Sequence, residues 1–406
     1  MKKIMKKGIV GLICLALLSG LVAGCGSNGS TTDESSDGSS DSSTQVIRIG
    51  YLGAKTGAVA NYGIPAEKGM IMAIEEINAA GGVLGMQLEG IYEDNKGETT
   101  EITNITTRYI TRDKVNALVG DPCTGLTIAA AKIAQQNQVV IFSAGATGEG
   151  VVEVGDYVFR NTLLDRYAAP VVVDWMINEK GWQNIAVITS LNNGYSTALT
   201  PVFKEAIADL GGNIVIEESV NDGDIDFSAQ VTNIKAANPD VIVFTGYYTE
   251  AALIMNEVQK KGMELCLIGG DGLYGLDLGI LGKSAVENKV IFYCGFSSDD
   301  SSPETAQFIQ NYRARWNEDP DMFSAQFYDA IYILAYAMEQ ANSADPKVYK
   351  DYLANLTDYP GVSGVTTIQA DREPLKGTIF LQTPVLNTES GEWEFALVER
   401  IDTKVQ

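Results

Sequence analysis

Four short stretches concentrate the residues able to do chemistry. They are Gly120-Asp121-Pro122-Cys123-Thr124-Gly125, Ser143-Ala144-Gly145-Ala146-Thr147-Gly148, Thr189-Ser190-Leu191-Asn192-Asn193-Gly194-Tyr195 and Gly269-Gly270-Asp271-Gly272. Each follows a short apolar run, and loops at the carboxyl ends of parallel strands are where open α/β sheets bind ligands. Thr124 stands where a helix should begin, so free backbone N–H groups and the helix dipole would attract an anion there. Gly145 lets backbone approach a ligand closely, and Thr147 adds a hydroxyl. Asp271, set among glycines, offers a carboxylate to a cation. An anion site facing a lone carboxylate across a cleft suits a zwitterion. Each residue alone also has a plainer use: Thr124 as an N-cap, Asp271 as a turn residue, and Tyr247-Tyr248 as core or cleft wall.

Other chemistry is excluded or weakly signalled. The chain has no histidine, which removes Ser-His-Asp and Cys-His catalysis and the commonest zinc ligand. A hydrolase using Cys123 at its helix N-terminus, with a lowered thiol pKa, is the remaining enzymatic reading, and it lacks a histidine base. Gly145 to Gly150 carries dinucleotide-fold glycines in reversed spacing. Gly282-Lys283-Ser284 resembles the end of a phosphate loop, but the first glycine that motif needs falls at Asp277. No cofactor or metal is expected. Beyond Cys14 and Cys25 near the start, Cys123, Cys266 and Cys294 make an odd number, so they form no complete disulfide framework. Cys266 and Cys294 would pair only from neighbouring strands, and buried free thiols are the expectation.

The elements that must hold these loops alternate in type. From Val46, strands are expected at 46–51, 88–93, 117–120 and 139–142, with helices at 65–79, 99–112 and 124–136 between and after them. Pro65 is read as first-turn proline. A second series follows Arg160: helices at 168–179 and 196–210, and strands at 185–189, 214–217, 241–244, 266–268 and 290–293. Short Val/Ile-rich runs separated by amphipathic helices indicate parallel sheets covered on both faces. The fold class is therefore α/β, with two doubly wound parallel-sheet domains. The last third is less regular, with helices at 303–316 and 323–339 and late strands at 366–368, 377–381 and 394–398 that complete one domain or both.

The chain opens with a targeting segment. Lys2, Lys3, Lys6 and Lys7 precede an apolar run too short for an ordinary membrane span. The run ends in Leu21-Val22-Ala23-Gly24-Cys25, which resembles the lipobox of bacterial lipoproteins. Residues 1–24 are thus read as a lipoprotein signal peptide, with Cys25 the lipidation site. Residues 25–45 form the anchor and a flexible linker, Ser-, Gly-, Asp- and Thr-rich, with a reach of about 25 Å. The formal net charge of −23 over 406 residues repels nucleic acid and anionic lipid. The length calls for two domains.

Several stretches in combination resemble the leucine/isoleucine/valine-binding proteins, extracellular receptors of branched-chain amino-acid ABC importers. They are Ile49-Gly50-Tyr51-Leu52-Gly53 through Thr56-Gly57, Asn61-Tyr62-Gly63, Glu75 to Gly85, Asp226-Phe227-Ser228, Gly246 to Ala251 and Gly269 to Tyr274. The resemblance implies the type I periplasmic-binding-protein fold, with three crossovers near Leu164, near Phe296 and between Gly364 and Lys376. One ligand-binding lobe would comprise residues 46–164 plus 297–363, the other 165–296 plus 364–406. In family terms Thr124 and Thr147 match hydroxyls that bind the ligand carboxylate, with backbone groups around Cys123 and Gly145. Asp271 matches the acid that binds the ammonium, often a longer glutamate. Tyr195 and Tyr247 match aromatics of the second lobe, and Tyr62 and Phe323 flank the side-chain pocket. Some members bond Cys123 to a cysteine in the loop that here reads Asn95-Lys96-Gly97, so Cys123 should be a free thiol. Asp121 puts a carboxylate beside the anion site, where it opposes an anion unless it points away or meets a cation.

The expected function is therefore capture of an amino acid, branched-chain or similar, in an interdomain cleft by hinge closure, as the substrate-binding component of an ABC importer. The partners would be a small-molecule ligand and membrane permease subunits. The chain would be monomeric, membrane-anchored through its lipid, without nucleic acid and without enzymatic activity. Alternatives are a ligand-sensing receptor module, or a binding protein for amides, urea or aromatic acids.

Overall fold

The computed structural model describes residues 45–276, 286–299, 302–389, 391 and 393–403. The segment read as signal, Cys25 and linker lies outside them, as does Gly282-Lys283-Ser284. Among the described residues no helix is long and apolar enough to cross a membrane.

The first sheet is built from β1 (Val46–Leu52), β2 (Gln87–Tyr92), β3 (Ala117–Gly120), β4 (Val140–Ser143) and β5 (Val158–Arg160). Its order is β2-β1-β3-β4-β5, and every pairing is parallel. Every residue of β3 and β4 is buried, as expected for central strands covered by helices on both faces. Those helices include α1 (Ala60–Ala79), α2 (Thr99–Arg108) and α3 (Thr124–Gln136). The second sheet contains β6 (Asn184–Ser190), β7 (Asn213–Val220), β8 (Val241–Phe244), β9 (Cys266–Gly269) and β10 (Val290–Cys294). Around it lie α4 (Asp165–Asp174), α5 (Gly194–Asp209), α6 (Ser228–Ala237) and α7 (Tyr248–Lys260).

The last third supplies α8 (Pro303–Trp316), α9 (Met322–Ala341) and α10 (Pro346–Ala354), then β11 (Thr367–Ile368) and β12 (Pro374–Leu375), which pair only with each other. β13 (Thr378–Leu386) and β14 (Trp393–Asp402) then join the second sheet, giving the order β14-β13-β10-β9-β8-β6-β7. Both long late strands therefore complete the second sheet. They run antiparallel, β13 against β10 and β14 against β13. A parallel neighbour needs a crossover of a dozen or more residues, whereas these two strands are joined by a short turn.

Two helix boundaries move, with consequences for the cleft. α1 begins at Ala60, so Pro65 lies inside it. The first turn is held by tertiary packing: Tyr62 is 2 % exposed and enters an aromatic cluster described below. α4 begins at Asp165, three residues before the expected start, and its Asp165 is buried. The chain passes between the sheets after Arg160, after Cys294 and after the β11–β12 hairpin. Buried Arg160 ties the first and third passages together: its Nε donates to Glu373 Oε2 at 2.6 Å, and its Nη1 donates to the Ala146 and Gly148 carbonyls.

Cys123, Cys266 and Cys294 are free thiols. β9 and β10 are neighbours, but Val290 pairs with Leu267, which leaves Cys266 and Cys294 at opposite ends of their strands.

Candidate functional site

The loop ends of both sheets meet in one cleft. On the first sheet's side, Cys123 holds the N-cap position of α3 with an extended backbone and no side-chain cap. Thr124 is thus the first residue of the helix and does not cap it. Its Oγ1 accepts a hydrogen bond from Gly148 N at 3.2 Å, tying the loop after β3 to the loop after β4. Gly145 makes that approach possible, since a Cβ there would stand 2.6 Å from the Pro122 Cα. The uncapped N–H groups at the start of α3 remain the local positive pole.

On the second sheet's side, the Asn193 side chain caps α5, accepting from Tyr195 N at 2.9 Å and Ser196 N at 3.2 Å. This fixes Tyr195, whose ring stacks on Tyr247 at 5.6 Å and 14°. α3 and α5 point their N-termini toward each other: a Cβ on Gly194 would stand 3.6 Å from the Gly125 Cα. Asp271 opens a short 3₁₀ turn after β9 and is 5 % exposed. The Thr147 hydroxyl donates to Asp271 Oδ1 at 3.2 Å, joining the loop after β4 to the loop after β9.

Aromatic rings wall the cleft. Tyr62 lies 4.8 Å from Phe323 and 5.6 Å, edge-on, from Tyr247. Its hydroxyl donates to the Gly272 carbonyl at 2.5 Å. The Gly272 N–H in turn donates to the Tyr195 hydroxyl at 3.3 Å. A groove of about 400 Å³ leads inward from the surface past Lys96, Asp222 and Glu250 to Cys123, Asn193 and Tyr247. The structure thus brings together Tyr62, Cys123, Thr124, Gly145, Thr147, Tyr195, Tyr247, Asp271 and Phe323.

Electrostatics adjust two expectations. Asp121 does not face the start of α3 as a bare anion. Its Oδ1 accepts from Cys123 N at 2.8 Å and its Oδ2 from Asn95 Nδ2 at 2.6 Å. Burial pushes its carboxyl up to about 6, against those two donors. The Cys123 thiol is not activated. Burial, reinforced by the Asp121 charge, holds it well above the usual thiol range, the reverse of the lowering a nucleophile needs.

Sequence reasoning missed Asp165 and Tyr293. Tyr293 Oη donates to Asp165 Oδ1 at 2.6 Å, while Asp165 Oδ2 is buried without a donor among the described residues. Burial pushes the Asp165 carboxyl up to about 6, tempered by Tyr293, Thr147 and Arg160. Asp271 is raised too, first by burial and then by the Asp165 charge. The available signal was an acid directly after Leu163-Leu164 at an expected crossover.

Two mostly parallel α/β sheets with loop ends meeting in a polar, aromatic cleft define a solute-binding architecture. The chain belongs to the periplasmic binding protein family, whose model matches residues 46–385. It is a solute-binding protein and not an enzyme, with the type I fold. It is 29% identical over 318 residues, 78% of this chain and 84% of the relative, to a leucine-, isoleucine-, valine-, threonine- and alanine-binding protein of Pseudomonas aeruginosa. Among solved structures it is similar to the branched-chain amino acid transporter substrate binding protein LivJ from Streptococcus pneumoniae in complex with isoleucine. That likeness has a TM-score of 0.79 at 32% identity, covering 87% of this chain and 99% of the other. The leucine binding protein LivK from Thermotoga maritima gives a TM-score of 0.81 at 27% identity, covering 88% and 99%.

Proposed function

We propose that this chain captures an amino acid, branched-chain or similar, in the cleft between two lobes and presents it to the membrane subunits of an ABC importer. The lobes are residues 46–164 plus 297–363 and residues 165–296 plus 364–406. The Thr147–Asp271 contact carries this reading. It sets a carboxylate from one sheet's loops against a hydroxyl from the other's, with the uncapped start of α3 nearby. The ligand ammonium goes to Asp271. Its carboxylate goes to Thr124, Thr147 and the backbone around Cys123 and Gly145. Its side chain lies among Tyr62, Tyr195, Tyr247 and Phe323.

Binding in such a cleft works by closure about the three passages. Removing water strengthens each charged contact, and the closed shape is what a permease recognises. The chain acts outside the cytoplasm as a monomer, tethered to the membrane by lipid on Cys25. A thermal-shift screen of amino acids, amides and small aromatic acids tests the ligand class. A ligand that binds only the folded state stabilises it by about 2.7 kcal/mol at a hundredfold excess over Kd. A rise in melting temperature with leucine, isoleucine or valine supports the reading, and a rise only with non-amino-acid ligands overturns it.

A further inference from the structure

α1 packs with the first sheet, yet its first turn reaches the loop after β9 of the second. Asn61 Nδ2 donates to the Gly275 carbonyl at 2.7 Å, and the neighbouring Tyr62 hydroxyl donates to the Gly272 carbonyl at 2.5 Å. Both donors are side chains of α1, and both acceptors are backbone, 214 and 210 residues away in the chain. The acceptors belong to one tight turn. Leu273 N donates to the Gly270 carbonyl at 3.1 Å, and Tyr274 N donates to the Asp271 carbonyl at 2.9 Å. Asp271 stands at the start of that turn. α1 therefore grips the far end of the segment whose near end carries the acid of the cleft.

Tyr62 also belongs to the aromatic wall, so its bond is not separable from contact with a ligand. The Asn61 bond is separable. Ala58 and Val59, just before it, line the groove, whereas Asn61 is not among the lining residues. Its side chain spans from one set of loops to the other and is half-buried. Gly275 is fitted to receive it. Its φ of +89° lies in the left-handed region that glycine adopts without strain. A Cβ there would also stand 3.1 Å from the Asn61 Cβ, so a larger residue would push the donor away. Next to it, the Tyr274 ring meets Phe323 of α9 edge-on at 6.2 Å. The segment after Asp271 is thus held by two helices, α1 and α9.

We propose that Asn61 is a positioning residue for capture: its bond to Gly275 forms as the cleft closes, holds the Asp271 segment in place and slows ligand release without touching the ligand. Its effect differs in kind from that of a pocket residue. A contact made only in the closed state adds the same free energy to every complex. Asn61 therefore sets how long any ligand stays, and leaves the preference among ligands alone. Encounter takes place in the open cleft, before the bond exists, so the effect falls on dissociation and not on association. This inference rests on the amino-acid and hinge-closure reading and adds to it a residue outside the ligand's own contacts.

The test compares wild type and Asn61→Ala with L-leucine, L-isoleucine and L-valine, with affinities from calorimetry and rates from stopped-flow mixing. Loss of one hydrogen bond should weaken all three ligands by a common factor of about three to ten. Association should be unchanged, and dissociation faster by that same factor. Asn61→Asp sets carboxylate oxygens against the Gly275 carbonyl and should weaken binding about tenfold or more. Gly275→Ala should reproduce the loss, and the double variant with Asn61→Ala should bind no more weakly than Gly275→Ala alone. If Gly275→Ala does not fold, the two Asn61 variants decide. Affinities of Asn61→Ala equal to wild type for all three ligands overturn the proposal and leave the amino-acid reading intact. A loss that differs from one ligand to the next, or that appears in association alone, does the same. Failure of the wild type to bind any amino acid overturns both.

Discussion

Thr147 and Asp271, 124 residues apart in the chain, meet through a 3.2 Å hydrogen bond from hydroxyl to carboxylate. One follows a strand of the first sheet and the other a strand of the second, so the contact exists only when the two sets of loops are together. Replacing Asp271 with alanine removes the carboxylate that faces a ligand ammonium. Breaking a buried ion pair by removing one partner costs about 3–5 kcal/mol. Asp271→Ala should therefore weaken leucine binding at least a hundredfold by calorimetry, while folding of the ligand-free protein is kept. Unchanged affinity would remove Asp271 from the site.

The buried acids make stability fall with rising pH. Asp121 and Asp165 are each pushed up to about 6, against about 3.9 for an unfolded aspartate. Between those values the folded state binds more protons than the unfolded state, so its stability declines as pH rises through that window. Each carboxyl accounts for a decline on the order of 3 kcal/mol. Urea unfolding at pH 4, 5, 6 and 7 should show a shallower decline in Asp121→Asn and Asp165→Asn than in the wild type. Equal slopes in all three would contradict the raised values.

Arg160 and Glu373 link the loop carrying Thr147 to the hairpin on the third passage. Arg160 is fully buried and Glu373 is 1 % exposed. Glu373→Ala would leave an unpaired guanidinium in the interior, costing about 3–5 kcal/mol of stability. Because Arg160 also holds the Ala146 and Gly148 carbonyls, the same variant should loosen Thr147 and weaken ligand binding. Denaturant midpoints and calorimetry read the two effects separately. A midpoint within experimental scatter of the wild type would show that the pair is not structurally important.

The thiol of Cys123 should be inert. It is 6 % exposed and held in its neutral form by burial and by Asp121. Reaction with a thiol reagent at pH 8 should therefore be slow in the native state and fast on unfolding. Cys123→Ser should keep ligand binding. Rapid native-state labelling would contradict this and reopen the nucleophile reading.

What the sequence discloses follows from what each signal depends on. β3, β4 and β8 are legible because strands buried on both faces are unbroken apolar runs. The candidate site residues are legible because they lie in small-residue loops directly after such runs. The start of α1 is not legible: Pro65 is a strong local signal for a first turn, but packing of Tyr62 against Phe323 and Tyr247 winds the chain five residues earlier. Nor does the sequence show which sheet takes the late strands, since β10 and β13 pair across more than eighty residues. Asp165 reads locally as an ordinary acid near a helix start. Only the tertiary fold buries it, with Tyr293 as its donor.

The most direct test of the central claim is calorimetric titration of the protein with L-leucine, L-isoleucine and L-valine at several temperatures. One ligand per chain and a negative heat-capacity change are expected, the latter being the mark of apolar surface buried when the cleft closes. A folded protein that gives no binding heat with any of the three, at any temperature, would contradict that claim.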